Sequence, residues 1–91
     1  MESMKEKELE RTLKALANKR RLNILRLLKA NKELPVGEIA RRIQLSFKST
    51  SNHLNILASV DILQKDQRSL QVFYAISTPS DKVTEKILTL L

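Results

Sequence analysis

Apolar residues recur at helical spacing in five stretches of this chain and at strand spacing in one. Between Glu6 and Ala17, acids and bases alternate around Leu9, Leu13 and Leu16, an i, i+4, i+7 stripe on a charged helix. Asn18 follows as a boundary and N-cap. From Lys19 to about Ala30, Leu22, Ile24, Leu25, Leu27 and Leu28 spread apolar surface over more than half the helix circumference, which predicts the most buried helix. The loop NKEL leads to Pro35, suited to the first turn of a third helix in which Val36, Ile39, Ala40 and Ile43 share a face. Gln44, Leu45 and Ser46 then form a connection short enough to make the next helix cross the third. Ser46 is placed as its N-cap and Leu45 as the apolar residue just outside. The fourth helix runs to about Ser59 and turns Thr50, Leu54, Leu57 and Val60 inward.

Beyond it the period changes. ILQKD and LQVFYAI are rich in β-formers, with Leu70, Val72, Tyr74 and Ile76 on one face and QRS as the tip of a hairpin. Two strands are not stable alone, so the hairpin must pack on the helices. The closing segment TPSDKVTEKILTLL opens with Thr78 as N-cap, Pro79 at the first helical position and Asp81 at the capping-box position. Val83, Ile87 and Leu90 form its stripe, widened by Leu88 and Leu91. The predicted fold is mainly α with a small β-hairpin wing, in the order α-α-α-α-β-β-α: a winged helix-turn-helix, residues 1–91 as one domain with a helix added at each end. A core of this size is marginal alone.

The outer face of the fourth helix carries Phe47, Lys48, Ser51, Asn52 and Asn55, small polar and basic side chains of the kind that reach base edges and phosphates in a major groove. Ser and Asn are poor helix formers, and a merely solvated face would hold more Glu and Lys. The net charge of +7 favours a polyanionic partner. The absence of cysteine removes disulfides, thiol redox chemistry and thiolate metal sites. No window is apolar enough for a membrane span, and MESMKEKELE lacks the apolar core of a signal peptide, so a cytoplasmic protein is expected. With one histidine, one glycine and no nucleophile–base pair, the chain carries no catalytic constellation and implies no cofactor.

These residues resemble the ArsR/SmtB-type winged-helix transcriptional repressors, over the stretch from about Leu13 to Ile76. ALANKRRLNILRLL, from Ala15 to Leu28, looks like that family's ALADPTRLRILRLL, with Asn18 and Lys19 in place of the usual Asp and Pro. LPVGEIARRIQLSFKSTSNHLNIL looks like its LSVGELAERLGLSQSTVSHHLKVL, and VFYAI resembles its VYYRL wing strand. The resemblance implies a dimeric DNA-binding repressor with the fourth helix in the major groove and the first and last helices at the subunit interface. The leucine stripes of these terminal helices either close over their own core or pair with the same helices of a second copy. The second is expected, because a palindromic site demands a two-fold symmetric reader, with Leu9, Leu13, Leu16, Val83, Ile87 and Leu90 as interface residues.

The departures from the family matter equally. Where its metal-sensing branch has two cysteines at the start of the third helix, this chain has Pro35 and Gly37, so thiolate ligation there is impossible. On the last helix Asp81 and Glu85 share a face without a histidine, and with Lys82 and Lys86 between them they read as a solvated, salt-bridged face. No metal is expected. At the wing, Ser69, Leu70 and Gln71 stand where relatives place Gly and two Arg, leaving Lys65 and Arg68 as the basic residues for a neighbouring groove.

Single residues then take expected roles. Lys48 is a phosphate or guanine contact; Ser51 and Asn52 are base readers, with Ser49 and Asn55 beside them; Arg41 and Arg42 meet phosphates flanking the groove. His53 is counted among the DNA-contacting residues, with packing against the turn after the third helix and one hydrogen bond to backbone or phosphate favoured over base reading. Arg20 and Arg21 are weaker candidates, expected to be solvated. Phe47 either touches thymine methyls or covers the turn, and the sequence leaves both open. The leading function is a homodimeric, sequence-specific repressor on palindromic DNA. The alternative is a winged-helix module that binds protein, or nucleic acid without sequence choice.

Overall fold

The computed structural model describes residues 4–78 and 81–91. Its helix starts fall where capping side chains put them. Asn18 Oδ1 accepts from Arg21 N–H at 3.0 Å and opens α2, Lys19–Ala30, after α1, Glu6–Leu16. Ser46 Oγ accepts from Ser49 N–H at 3.1 Å and opens α4, Phe47–Ser59. Between them α3, Val36–Ile43, ends at Gln44 in the left-handed region, φ 57°, whose N–H bonds the carbonyl oxygens of Ala40 and Arg41. That one residue reverses the chain from α3 into α4.

Ile24 and Leu25 of α2, Ile39 of α3, and Leu54 and Leu57 of α4 are fully buried and form the centre of the core. The strands β2, Leu63–Arg68, and β3, Gln71–Ile76, close one side with Ile62, Leu63 and Tyr74. On the other side α5, Lys82–Leu90, packs Val83, Ile87, Leu88 and the terminal Leu91 half-buried against the same cluster. The observed elements bear out the winged helix-turn-helix architecture.

Four details depart from expectation. A short strand β1, Leu34–Pro35, makes the sheet three-stranded, in the order β1-β3-β2 and antiparallel throughout, with Leu34 opposite Tyr74 and Pro35 opposite Phe73. Pro35 is therefore the extended N-cap of α3, φ −75° and ψ 155°, rather than its first helical residue. Proline has no N–H to donate, and an edge strand tolerates that. Second, Arg68 pairs with Gln71, so Gln67 and Arg68 belong to the strand and the turn is Ser69–Leu70. Leu70 is 96% exposed and not on the buried face with Tyr74; the alternation reached one residue into the turn.

Third, Thr78 is exposed and does not cap α5, and Pro79 lies outside the described residues. Asp81 is the N-cap: its Oδ1 accepts from Thr84 N–H at 2.7 Å and its Oδ2 from the buried Thr84 hydroxyl at 2.9 Å. A carboxylate reaches both groups of Thr84, and it also sits favourably at the positive end of the helix. Fourth, Leu16 is 4% exposed within its own chain and so is core rather than interface. Thr12, one turn before it, is buried with it.

Replacing Asp81 with Ala should lower the unfolding free energy by about 1 kcal/mol, the ordinary worth of an N-cap, whereas Thr78→Ala should leave it nearly unchanged. Urea unfolding followed by circular dichroism checks both. Equal losses would restore Thr78 as the start of the last helix.

Candidate nucleic-acid interface

With its inner face in the core, α4 exposes three strips of side chains. Phe47, Ser51 and Asn55, four residues apart, form the strip nearest the hairpin. Together with Val36, Lys65, Gln67, Val72 and Tyr74 they line a cleft of about 460 Å³ between the helix and the wing. Lys48 and Asn52 stand exposed on the crest. Ser49 and His53 form the third strip, half-buried on the opposite flank.

The strips differ in how far their polar groups are already engaged. Tyr74 Oη donates to Asn55 Oδ1 at 3.0 Å, which ties the strip to the wing and leaves the Asn55 amide as a donor. Lys48, Ser51 and Asn52 have no side-chain hydrogen bond or ion pair among the described residues. The arrangement leaves a row of uncommitted donors and acceptors on a rigid helix.

His53 faces α2, not the turn after α3. Its Nδ1 lies 3.1 Å from Arg21 Nη1, and since a guanidinium only donates, Nδ1 is the acceptor. Burial, and then the charges of Arg21 and Arg20, hold the imidazole below its usual pKa of 6.5. Arg21 is not a solvated cation: its Nε donates to the Ala15 carbonyl oxygen at 2.6 Å and its Nη2 to that of Lys14 at 3.2 Å. It thus caps the negative C-terminal end of α1 while contacting α4. The signal available in the sequence was its place three residues after the Asn18 cap, which aims the side chain back at the preceding helix.

The arginines expected to flank the groove are engaged by carboxylates of their own chain. Arg41 and Arg42 both bond Glu38, Arg42 Nε at 2.7 Å from Oε2, and these bonds hold the Glu38 carboxyl down to about 2. Arg42 also reaches Asn31 Oδ1 at 3.5 Å. Arg68 forms a two-pronged pair with Glu33, in the loop before β1, with Nη2 to Oε1 at 2.8 Å. It also donates to Asp66 at 2.8 Å and lies 4.5 Å over the Phe73 ring. Arg68 is therefore a clamp next to the wing tip, engaged by Glu33, Asp66 and the Phe73 ring. Lys65, on the same strand, is exposed and forms no ion pair among the described residues.

The candidate interface residues divide as well. Leu9 is half-buried and Leu13 is 47% exposed along a groove on α1, and Leu90 is 77% exposed on α5, which contacts α1. Val83 and Ile87 largely pack inward. At the positions where the resemblance would place metal ligands, Pro35 and Gly37 offer no side-chain donor. Both Asp81 oxygens are engaged by the cap, so that carboxylate is not part of a salt-bridged face. Among the described residues no group of three or more His, Cys, Asp or Glu could hold a metal ion, and no helix is long and apolar enough to cross a membrane.

Residues 16–65 match the helix-turn-helix domain family. The transcriptional activator HlyU of Vibrio cholerae is 40% identical over 76 residues, which cover 84% of this chain and 69% of HlyU. This chain belongs to the ArsR-type winged helix-turn-helix transcriptional regulators. Within that DNA-binding family, the transcriptional repressor SdpR of Bacillus subtilis is 32% identical over 65 residues, 71% of each chain. The structure of reduced HlyU superposes with a TM-score of 0.78 at 35% identity, over 93% of this chain and 85% of HlyU. The homodimeric winged helix-turn-helix DNA-binding domain Mb0332 of Mycobacterium bovis, a possible ArsR-family regulator, gives 0.77 at 27% identity, over 99% and 85%.

Because its folded pKa is lowered, His53 binds its proton less readily in the native state than in the unfolded chain. Its neutral form supports the fold fully above about pH 6.5, and that support fades as the pH falls through 6.5 toward the folded pKa. Thermal midpoints should therefore drop between about pH 7 and pH 5, and His53→Gln, which keeps an acceptor for Arg21, should flatten the slope. The contribution of the Glu38 ion pairs to stability is full above about pH 4.5 and is lost as pH falls from there through about 2, outside this window. An unchanged slope in the variant would remove His53 as its cause.

Proposed function

We propose that this chain is a homodimeric, sequence-specific regulator of transcription that reads a two-fold symmetric DNA site with α4 of each protomer. It acts by binding rather than catalysis, in the cytoplasm, and without a thiolate metal switch. One observation carries the reading: Lys48, Ser51 and Asn52 lie uncommitted on the outside of α4, while Asn55 and His53 on the same helix are paired with Tyr74 and Arg21. A binder indifferent to sequence gains more from Lys and Arg at those positions than from Ser and Asn. An activator and a repressor both stand among the relatives, so the same reading unit serves either sign of control.

In this reading Asn52 and Ser51 meet base edges, with Ser49 and Asn55 beside them. Lys48 and Lys65 neutralise phosphates, and Arg41 and Arg42 exchange Glu38 for phosphates beside the groove. Exposed ion pairs of that kind are screened by solvent and weak, so the exchange costs little. Arg68 has two carboxylates and an aromatic ring to leave, and it stays a wing clamp. His53 supports α4 from behind.

Selection of bound duplexes from a random pool, followed by titration of variants at several salt concentrations, tests the reading. Asn52→Ala and Ser51→Ala should each weaken the preferred duplex by about 1–3 kcal/mol and leave random DNA nearly unaffected. Lys48→Ala and Lys65→Ala should lower affinity for all sequences alike and reduce the salt slope by about one, whereas Arg68→Ala should change that slope less. If Asn52→Ala weakens both duplexes equally, α4 is not the reading element and the architectural alternative takes its place.

For the dimer, the exposed positions Leu13 and Leu90 are the sensitive probes, since Leu16 and Ile87 serve their own core. Sedimentation at micromolar concentration should show a dimer, and Leu13→Asp with Leu90→Asp should yield folded monomers, because burying an unpaired carboxylate costs several kcal/mol. A dimer that survives both changes is joined elsewhere.

A further inference from the structure

Phe47 is 63% exposed at the first position of α4, and nothing inside the fold explains it. Capping is done by Ser46, and the turn after α3 is covered by Leu45, which is half-buried against the core with its N–H on the Ala40 carbonyl oxygen at 3.0 Å. The ring instead forms the rim of the cleft beside the wing, in line with Ser51 and Asn55. Of the exposed large hydrophobic side chains among the described residues, Phe47 and Ile56 lie on α4, and Phe47 is the aromatic one and the one that lines the cleft.

The strip offers an apolar disc, then a hydroxyl, then an amide whose carbonyl oxygen is already taken by Tyr74. Apolar surface beside hydrogen-bond donors matches one base edge in the major groove: thymine, which presents its C5 methyl group next to the O4 acceptor. We propose that Phe47 is a specificity-determining residue that packs on the methyl group of a thymine in each half-site, with the Ser51 hydroxyl facing O4. This rests on the DNA-reading function proposed above and names the base that it reads at one position.

The test replaces each thymine of the selected duplex in turn by uracil, which removes the methyl group and keeps the hydrogen-bonding edge. At one position per half-site the wild-type protein should lose about fourfold in affinity, the worth of one buried methyl group. Phe47→Ala should bind the thymine and uracil duplexes equally, and Phe47→Leu should keep part of the discrimination. Since the side chain is mostly exposed, both variants should keep the unfolding midpoint of the parent.

The proposal is overturned if no uracil substitution affects the wild type. It is equally overturned if the sensitive thymine stays as sensitive in Phe47→Ala, or if that variant weakens every duplex alike with its uracil response unchanged. In each of those cases a preferred duplex exists and the DNA-reading function stands. If no duplex is enriched from the pool, that function fails, and the thymine assignment with it.

Discussion

The packing of Ile24 and Leu25 against Ile39, Leu54 and Leu57 holds this molecule together, because it fixes α2, α3 and α4 against one another through fully buried side chains. Burying each such side chain contributes roughly 1.5–3 kcal/mol, and truncating one to Ala costs about 2–5 kcal/mol, a large share of what a domain of this size can spare. The orientation of α4 is a by-product of that packing. Its inner residues are spent on the core and its crest is left to solvent, so the helix presents the same strip in every molecule.

Around this centre, charge is arranged by position more than by amount. Lys and Arg outnumber Asp and Glu by seven, yet Arg41, Arg42 and Arg68 are all matched by Glu38, Glu33 or Asp66. Such exposed pairs add little stability. Their effect is geometric: Arg68 ties the wing to the loop before β1, and Glu38 keeps two guanidinium groups on the flank of α3. The surplus positive charge near the crest and the wing then resides in Lys48 and Lys65, point charges on flexible stems that suit phosphates in varied positions.

Most of the helical frame was legible because it is written locally. The boundaries of α2, α3 and α4 follow from Asn18, Ser46 and the apolar period, all within a few residues of the ends they set. What was illegible depends on groups far apart in the chain or on elements too short for a period. A two-residue strand such as Leu34–Pro35 has no alternation to read, and only its pairing with Phe73 and Tyr74 makes it a strand. The bond between Arg21 and His53 spans 32 residues, and Arg68 meets Glu33 across 35. Neither pairing leaves a mark in composition. Thr78 and Leu70 misled for a different reason: a good capping residue stood three positions before the residue that caps the helix, and a strand-like alternation ran one residue beyond the strand. In the candidate site, the residue types on α4 were readable, but which of them remain uncommitted was not.

Gln44, Asp61 and Ser69 hold left-handed backbone at the joints before α4, after α4 and at the wing tip, in a chain whose single glycine lies elsewhere, at Gly37. Each non-glycine residue in that region stores roughly 1–2 kcal/mol of steric strain. Glycine there would relieve the strain but widen the range of torsions each joint can sample. The strained joints therefore act as stiff hinges, and helix and wing reach a binding partner already aligned. The entropy of ordering them is lost during folding, so association should carry little of it and show a heat-capacity change set mainly by the surface that the contact itself buries.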